Sequence, residues 1–391
     1  MTIRYLHVIH SLDPRDGGPP EGVKQLSRVA RRLNHHVEIV VMREPEQAWL
    51  RDFDCAVHYV GPSYCKYGFA PRLAGWLRTH AERFSAVIVN GIWQYHSFCT
   101  WQVLRGSPVP YFVFTHGMLD PWFKHRYPLK HLKKLAYWRW AEYRVLRDAR
   151  GVLFTCEEEK RLARQSFAQY RATELVVNYG VPEPAGDPQA QRQQFLASFP
   201  QLRDRPFLLF LGRIHPKKGC DLLIKAFAAV ASRDPELRLV IAGPDSLGSR
   251  RKLAHLVRHL GVEQRVIWTG MLRGDAKYGA LRSAQAFVLP SHQENFGIAV
   301  AEALACGTPV LISNKVNIWR EVLESGAGLV EEDSVTGTTA MLERWMGATA
   351  EQRVAYGRSA LECFRHRFHI EAAARTLLAT IEHRGARQRA A

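Results

Sequence analysis

No stretch of the 391 residues is apolar for anything near the ~18 residues that a membrane span requires. Cysteine is scarce and unpatterned. The seven (Cys55, Cys65, Cys99, Cys156, Cys220, Cys306 and Cys363) are odd in number and show no C-x-x-C spacing, so neither a disulfide framework nor a zinc site is expected. A Walker loop, G-x4-G-K-[S/T], is missing. Internal repeats and low-complexity segments are missing too. The opening MTIRYLHVIHSL lacks a long apolar core and a small-residue cleavage site, so it reads as a first strand rather than a secretory leader. A reduced, cytoplasmic setting is the expectation. Acidic residues are short: 37 Asp+Glu against 54 Lys+Arg leave a net charge of +17. Such a balance favours anionic partners, whether nucleic acid, phosphorylated ligands or an anionic membrane surface. Both halves of the chain share the excess, and only a short frayed basic end is expected at 383–391.

What is present is a globular profile, 47% hydrophobic and 23% charged, with length enough for two domains. Strands are expected at 3–9, 37–41, 56–60, 85–90, 111–114, 151–155 and 175–182, with helices over 21–33 and 71–83 between them. A proline-rich polar stretch at 183–188 reads as a linker. The pattern then restarts, with strands at 207–211, 237–242, 265–269, 286–290 and 309–312. Helices are expected over 220–232, 275–283, 298–306 and, as one long closing element, about 350–381. Alternation of this kind predicts parallel, doubly wound α/β sheets.

The chain is organised around Ser291–Thr308, SHQENFGIAVAEALACGT. It reads as strand end, tight loop, helix. Glu294 lies in the loop and Glu302 about one turn into the helix, with seven residues between them. Both can face the crevice at the carboxyl end of the strand, where open α/β sheets bind ligands. The N–H groups of the loop and first turn, from Asn295 through Phe296, Gly297 and Ile298, can hold an anion. Carboxylates that accept from hydroxyls, beside N–H groups that hold phosphate, suit a nucleotide sugar. The bland alternative is a surface helix with two ordinary glutamates.

Upstream, the strand 207–211 runs into Gly212-Arg213-Ile-His-Pro-Lys-Lys-Gly219 before a helix. Arg213 can fork two phosphate oxygens and Lys218 can add a point charge, with Lys217 the lesser choice. In the first half, Gly17-Gly18 ends the first strand's loop and lets backbone approach a ligand closely. His116, in Thr-His-Gly at the end of the strand 111–114, can share a hydrogen bond with a sugar hydroxyl. His96 and Asp120 are weaker candidates. Residues 124–150 are unusual: nine are Lys or Arg, interleaved with Trp and Tyr. Such a helix can lie on an anionic membrane, hold an acidic or lipid-diphosphate acceptor, or simply pack on the core with a solvated basic face.

These stretches resemble family 4 of the retaining glycosyltransferases, which have the GT-B fold. The likeness rests on the E-x7-E of Glu294 and Glu302, the G-R-x4-K-G of Gly212, Arg213, Lys218 and Gly219, the Gly17-Gly18 pair, the THG of His116 and the Asn178–Gly180 segment. The resemblance implies an α/β chain of two Rossmann-like domains with parallel sheets facing a central cleft. The first would span 1–185 and be joined by the C-terminal helix, about 368–391; the second, 186–367, would bind the donor. It implies that Glu294 and His116 meet the donor sugar, Glu302 the ribose, Arg213 and Lys218 the diphosphate, and backbone at Met271 or Leu272 the base. Where many members carry Gly-Gly and Pro before a Glu, this chain reads Asn314-Lys-Val-Asn-Ile-Trp-Arg-Glu321, which bears on the sugar accepted.

The function expected is transfer of a hexosyl group from a nucleoside-diphosphate sugar to a hydroxyl of a saccharide or lipid-linked acceptor, with retention, in cell-surface polysaccharide synthesis. No cofactor and no metal are expected, since Arg213, Lys218 and helix N–H groups can neutralise the leaving diphosphate. Peripheral membrane contact through 124–150 is expected, and a nucleic-acid partner is not. The rivals are a related nucleotide-sugar epimerase or hydrolase, and a non-enzymatic basic protein that binds membrane or nucleic acid.

Overall fold

The computed structural model describes residues 2–245 and 248–389, with side chains to residue 385. The chain divides into two compact units, Met1–Pro182 with Ile370–Ala391, and Glu183–His369.

The first unit holds seven parallel strands: β1 (Arg4–Ile9), β2 (His36–Val41), β3 (Ala56–Tyr59), β4 (Ala86–Asn90), β5 (Tyr111–Phe114), β6 (Gly151–Phe154) and β7 (Glu174–Val176). Their order is β3-β2-β1-β4-β5-β6-β7. The direction of winding reverses between β1 and β4, paired from Tyr5↔Ala86 to Ile9↔Asn90. Residues of β4 and β5 are buried throughout, as expected of strands covered by helices on both faces. The second unit repeats the plan with β8 (Phe207–Leu211), β9 (Arg238–Ala242), β10 (Val266–Gly270), β11 (Ala286–Leu289), β12 (Val310–Ser313) and β13 (Gly328–Glu331). The order is β10-β9-β8-β11-β12-β13, so winding reverses between β8 and β11. Ligands of such sheets bind at the strand ends beside the reversal.

Four differences from the sequence reading have physical causes. The first helix begins at Gly18, not residue 21, because Pro19 and Pro20 occupy the first turn, where the lost N–H costs nothing. The strand expected over 175–182 stops at Val176, and Asn178 soon turns the chain with φ 58°, a conformation Asn tolerates. The closing helix is two helices. Ala350–Cys363 runs into a π-helical segment, Phe364–Phe368, and His369 is extended before Ile370–Arg389. The Ile370 N–H there bonds the Val181 carbonyl at 3.1 Å. Ile370, Ala373, Ala374, Leu377 and Ile381 are buried at helical spacing, and their helix packs on Gly18–Arg32. Finally, 122–148 is broken into helices Trp122–Arg126 and Pro128–Tyr137, a π-helical segment Trp138–Glu142 and helix Tyr143–Asp148. Core packing there begins only at Trp138; Leu129, Leu132 and Leu135 are exposed. Helices Tyr95–Leu104, Pro188–Ser198, Ser249–His259 and Val335–Met346 were not anticipated.

Candidate active site

In the second unit the loops after β8 and β11, the two strands at the reversal, lie against each other. The loop after β8 forms a 3-10 turn, Pro216–Lys218, fixed when the His215 ring accepts from the Lys217 N–H at 3.0 Å. It ends at Gly219 in the left-handed region (φ 67°), where a Cβ would stand 2.1 Å from the Pro290 carbonyl oxygen. Only glycine fits this approach. The His292 N–H bonds the Lys217 carbonyl at 2.8 Å, and Lys217 Nζ bonds Gln293 Oε1 at 2.8 Å. Lys218 Nζ is thereby brought onto Glu294 Oε2 in a close ion pair. Burial alone would raise the Glu294 carboxyl, but Lys218, Lys217 and Arg213 outweigh it and hold the group below the usual carboxylate range. Arg213 remains exposed.

Glu294 also pairs through its backbone. Its N–H bonds the Lys315 carbonyl at 2.9 Å, and its carbonyl accepts from the Asn317 N–H at 3.0 Å. Asn317 Nδ2 reaches Asn295 Oδ1 at 3.3 Å. The segment 314–321, where the chain departs from the family pattern, is thus built directly onto Glu294. Phe296 is buried edge-on against Phe368, with ring centroids 5.6 Å apart. Gly297 caps helix Ile298–Ala305 with φ 76° and no side-chain cap, so the helix's first N–H groups are left for an outside acceptor. Glu302 accepts from Lys277 Nζ at 2.6 Å. Burial would lower the Lys277 ammonium; Glu302 and Tyr278 overcome that and raise it. Met271 is exposed just beyond β10, next to Gly270 at φ 71°.

In the first unit Gly17 (φ 101°) sits at the N-cap of helix Gly18–Arg32, and the Tyr179 hydroxyl donates to the Gly18 carbonyl at 3.3 Å. His116 follows β5 with φ 48°, a strained backbone for a histidine, on the order of 1–3 kcal/mol. Its ring stacks on Phe114 and its Nε2 lies 3.3 Å from Asn90 Oδ1, at the end of β4. Desolvation pushes its pKa down to about 4, so the ring is neutral near pH 7. What holds this turn is Glu159. Its Oε1 accepts from Thr115 Oγ1 at 2.8 Å and the Gly117 N–H at 2.6 Å; its Oε2 accepts from the Thr155 N–H and Oγ1 at 2.8 and 2.7 Å. His96 is buried, with Nε2 donating to the Asn90 carbonyl, and Asp120 Oδ1 caps the Trp122 N–H.

The sequence reading missed Glu159, Lys277 and the Lys217–Gln293 bond. Glu159 is one of three consecutive glutamates in the first turn of helix Glu157–Ala163, where sequence alone points to nothing beyond a favourable interaction with the helix dipole. Lys277 carried no local signal.

Each unit matches a family model: residues 17–180 the glycosyl transferase 4-like domain, and 191–360 the glycosyl transferases group 1 model. The chain belongs to the group 1 glycosyltransferases. Over 181 residues this group 1 chain is 36% identical to a D-inositol 3-phosphate glycosyltransferase of Actinosynnema mirum, covering 44% of the chain and 42% of that relative. An uncharacterized glycosyltransferase of Methanocaldococcus jannaschii is 39% identical over 111 residues, 28% of each chain. The chain thus spans less than half the length of the curated relatives it matches. Solved structures match nearly throughout, two of them as follows. Sucrose-phosphate synthase of Thermosynechococcus elongatus has a TM-score of 0.77 at 19% identity, covering 98% of this chain and 100% of that one. Anabaena HepE in complex with UDP has a TM-score of 0.79 at 17% identity, covering 97% and 100%. These likenesses establish the GT-B fold class.

Proposed function

We propose that this group 1 chain transfers a hexosyl group from a nucleoside-diphosphate sugar to a hydroxyl of a saccharide or lipid-linked acceptor, with retention of configuration, in cell-surface polysaccharide synthesis. The observation that carries the reading is the pair of lysine-held carboxylates, Lys218–Glu294 and Lys277–Glu302, beside exposed Arg213 and the uncapped start of helix Ile298–Ala305. Before a donor arrives, Lys218 and Glu294 neutralise each other. A diphosphate competes for Lys218 together with Arg213 and the helix N–H groups, which frees Glu294 to accept from sugar hydroxyls. Glu302 accepts from the ribose, and backbone near Met271 meets the base. His116, neutral, shares a hydrogen bond with a sugar hydroxyl. HepE, solved with UDP-glucose, supports a nucleotide-sugar donor.

In the transfer the bond from the anomeric carbon to the phosphate oxygen breaks and its electron pair leaves with the diphosphate. Arg213 and Lys218 stabilise that charge without a metal. The acceptor oxygen attacks from the same face and gives its proton to the departing phosphate. Glu294→Ala and Lys218→Ala should each abolish transfer while the protein stays folded by circular dichroism, with a lowered unfolding midpoint because each leaves the other charge unpaired. Normal turnover by either variant overturns the assignment.

We further propose peripheral attachment at the inner membrane face through helix Pro128–Tyr137. Leu129 is 77% exposed and Leu132 62%, next to Lys130 and Lys133, a pattern suited to an anionic bilayer. No helix among the described residues is long and apolar enough to cross a membrane.

A further inference from the structure

Helix Pro128–Tyr137 is built inside out. Its leucines face outward, while its inner side presents His131, Lys134 and Tyr137. Behind it, against helix Trp122–Arg126, lies a cavity of about 60 Å³. That is room for a few waters or one small anionic group, and not for a sugar ring. Lys124, Lys130 and Lys134 all line it, with the Phe123 and Phe167 rings. Two of the ammonium groups meet rings: Lys134 Nζ is 4.4 Å from the Trp93 centroid and 5.7 Å from that of Phe123, and Lys130 Nζ is 4.8 Å from that of Tyr127. Among the described residues no carboxylate lies within ion-pair distance of these three lysines.

Two acids do face the cluster. Asp120 lines the cavity, but its Oδ1 accepts from the Trp122 N–H at 2.8 Å. Glu142 is buried behind Trp93, accepts from that residue's N–H at 3.1 Å, and is pushed up to about 7 by burial. Burial also lowers the Lys134 ammonium to about 8. Three lysines line this partly dry cavity, and Glu142, the acid that attracts Lys134, is itself pushed by burial toward its neutral form, so the cavity suits an outside anion.

Its place narrows the ligand. Met118 lines the cavity two residues after His116. Met118 also ties together the loops after β4 and β5, as its carbonyl accepts from Trp93 Nε1 at 3.2 Å and its Sδ from the Ile92 N–H at 3.3 Å. The cavity therefore lies next to the loops at the carboxyl ends of these strands, with Met118 as the shared residue. We infer that the cavity between helices Trp122–Arg126 and Pro128–Tyr137 binds a phosphoryl group carried by the acceptor. This rests on the transferase reading for the word acceptor, and on the first unit alone for the phosphoryl site. The phosphoryl group can come from a soluble sugar phosphate or from a lipid phosphate reached through the outward leucines.

The test uses the full chain and tryptophan fluorescence, since Trp93 reports on Lys134. Glycerol 3-phosphate is titrated against glycerol, and vesicles of phosphatidylcholine with or without phosphatidic acid form a second arm. Lys134→Gln and the exposed Lys130→Gln are compared with Lys252→Gln, a control lysine of the second unit. Glycerol 3-phosphate should bind and glycerol should not. Lys134→Gln should weaken binding about tenfold or more, Lys130→Gln less, and the control not at all. Saturation by the soluble phosphate marks a soluble source; loss by Lys134→Gln only with phosphatidic acid vesicles marks a lipid source. Equal binding by all variants in both arms, or equal loss in the control, overturns the inference. UDP binding is measured on the same samples. Its absence would count against the donor reading and leave the phosphoryl result standing.

Discussion

Glu159 offers the most sharply defined perturbation. Its carboxylate gathers four donors from two turns, Thr115–Gly117 and Thr155. In Glu159→Gln one oxygen becomes an NH2 group, which faces one hydroxyl and one backbone N–H. The threonine hydroxyl can rotate to accept. The backbone N–H cannot, and stays buried and unpaired whichever way the amide is turned. Leaving one such group unsatisfied costs about 1–3 kcal/mol. For a unit of this size that is roughly 2–12 °C of its thermal midpoint. With the NH2 group at the Oε1 position the unpaired donor is the Gly117 N–H, and the loss falls on the turn that holds His116 at φ 48°; at the Oε2 position it is the Thr155 N–H, on the turn tied to it through the same side chain. The proposed transfer should therefore slow in kcat with little change in donor KM. Glu159→Asp, too short to span both turns, should do at least as much harm. Differential scanning calorimetry and steady-state kinetics read the two effects. A Glu159→Gln protein with parental midpoint and parental kcat would refute the reasoning.

Further outcomes follow from the same structure. Gly219→Ala places a Cβ 2.1 Å from the Pro290 carbonyl in a left-handed backbone; it should destabilise the second unit by at least ~1–2 kcal/mol and weaken nucleotide binding, checked by urea unfolding and titration with UDP. His7 and His96 are buried and held neutral, with pKa values down to about 3 and about 4. The unfolded chain takes up their protons first, so stability should be full above about pH 6.5 and fall as pH drops toward 4. A urea midpoint flat across that window would contradict it. Leu129→Glu with Leu132→Glu should leave the unfolding free energy within ~0.5 kcal/mol of the parent, since both side chains are exposed. Sedimentation with anionic vesicles should fall sharply, and unchanged co-sedimentation would remove the membrane proposal.

Much of this was legible in the sequence for a physical reason. Strands such as 86–90 and 207–211 are continuous apolar runs because both faces are covered, and such runs stand out without alternation. The left-handed Gly219 and Gly297 mark the loop ends because glycine takes those conformations without the steric cost of a Cβ. Helix Pro188–Ser198 buries only Gln191 and Phe195, so its apolar period is faint. The inverted Pro128–Tyr137 helix shows the limit more clearly. Its periodicity is real, but period alone does not say which side faces the core. Nor does any local pattern reveal Lys277 on Glu302 or Glu159 under the His116 turn, because those contacts join residues 25 and more than 40 positions apart. The three glutamates 157–159 divide their roles only in three dimensions: Glu157 pairs with Lys160, Glu158 with Arg161, and Glu159 turns inward.

The central claim is that the loops after β8 and β11 hold a nucleoside-diphosphate sugar. The most direct measurement is calorimetric titration of the parent, Arg213→Ala and Lys218→Ala with UDP-, GDP-, ADP- and dTDP-sugars in EDTA. One donor should bind the parent without metal, and each variant should weaken that binding by about tenfold or more, as expected for a lost charge-assisted contact. Binding that survives both substitutions at parental strength, or no binding by any donor of the panel, would contradict the claim.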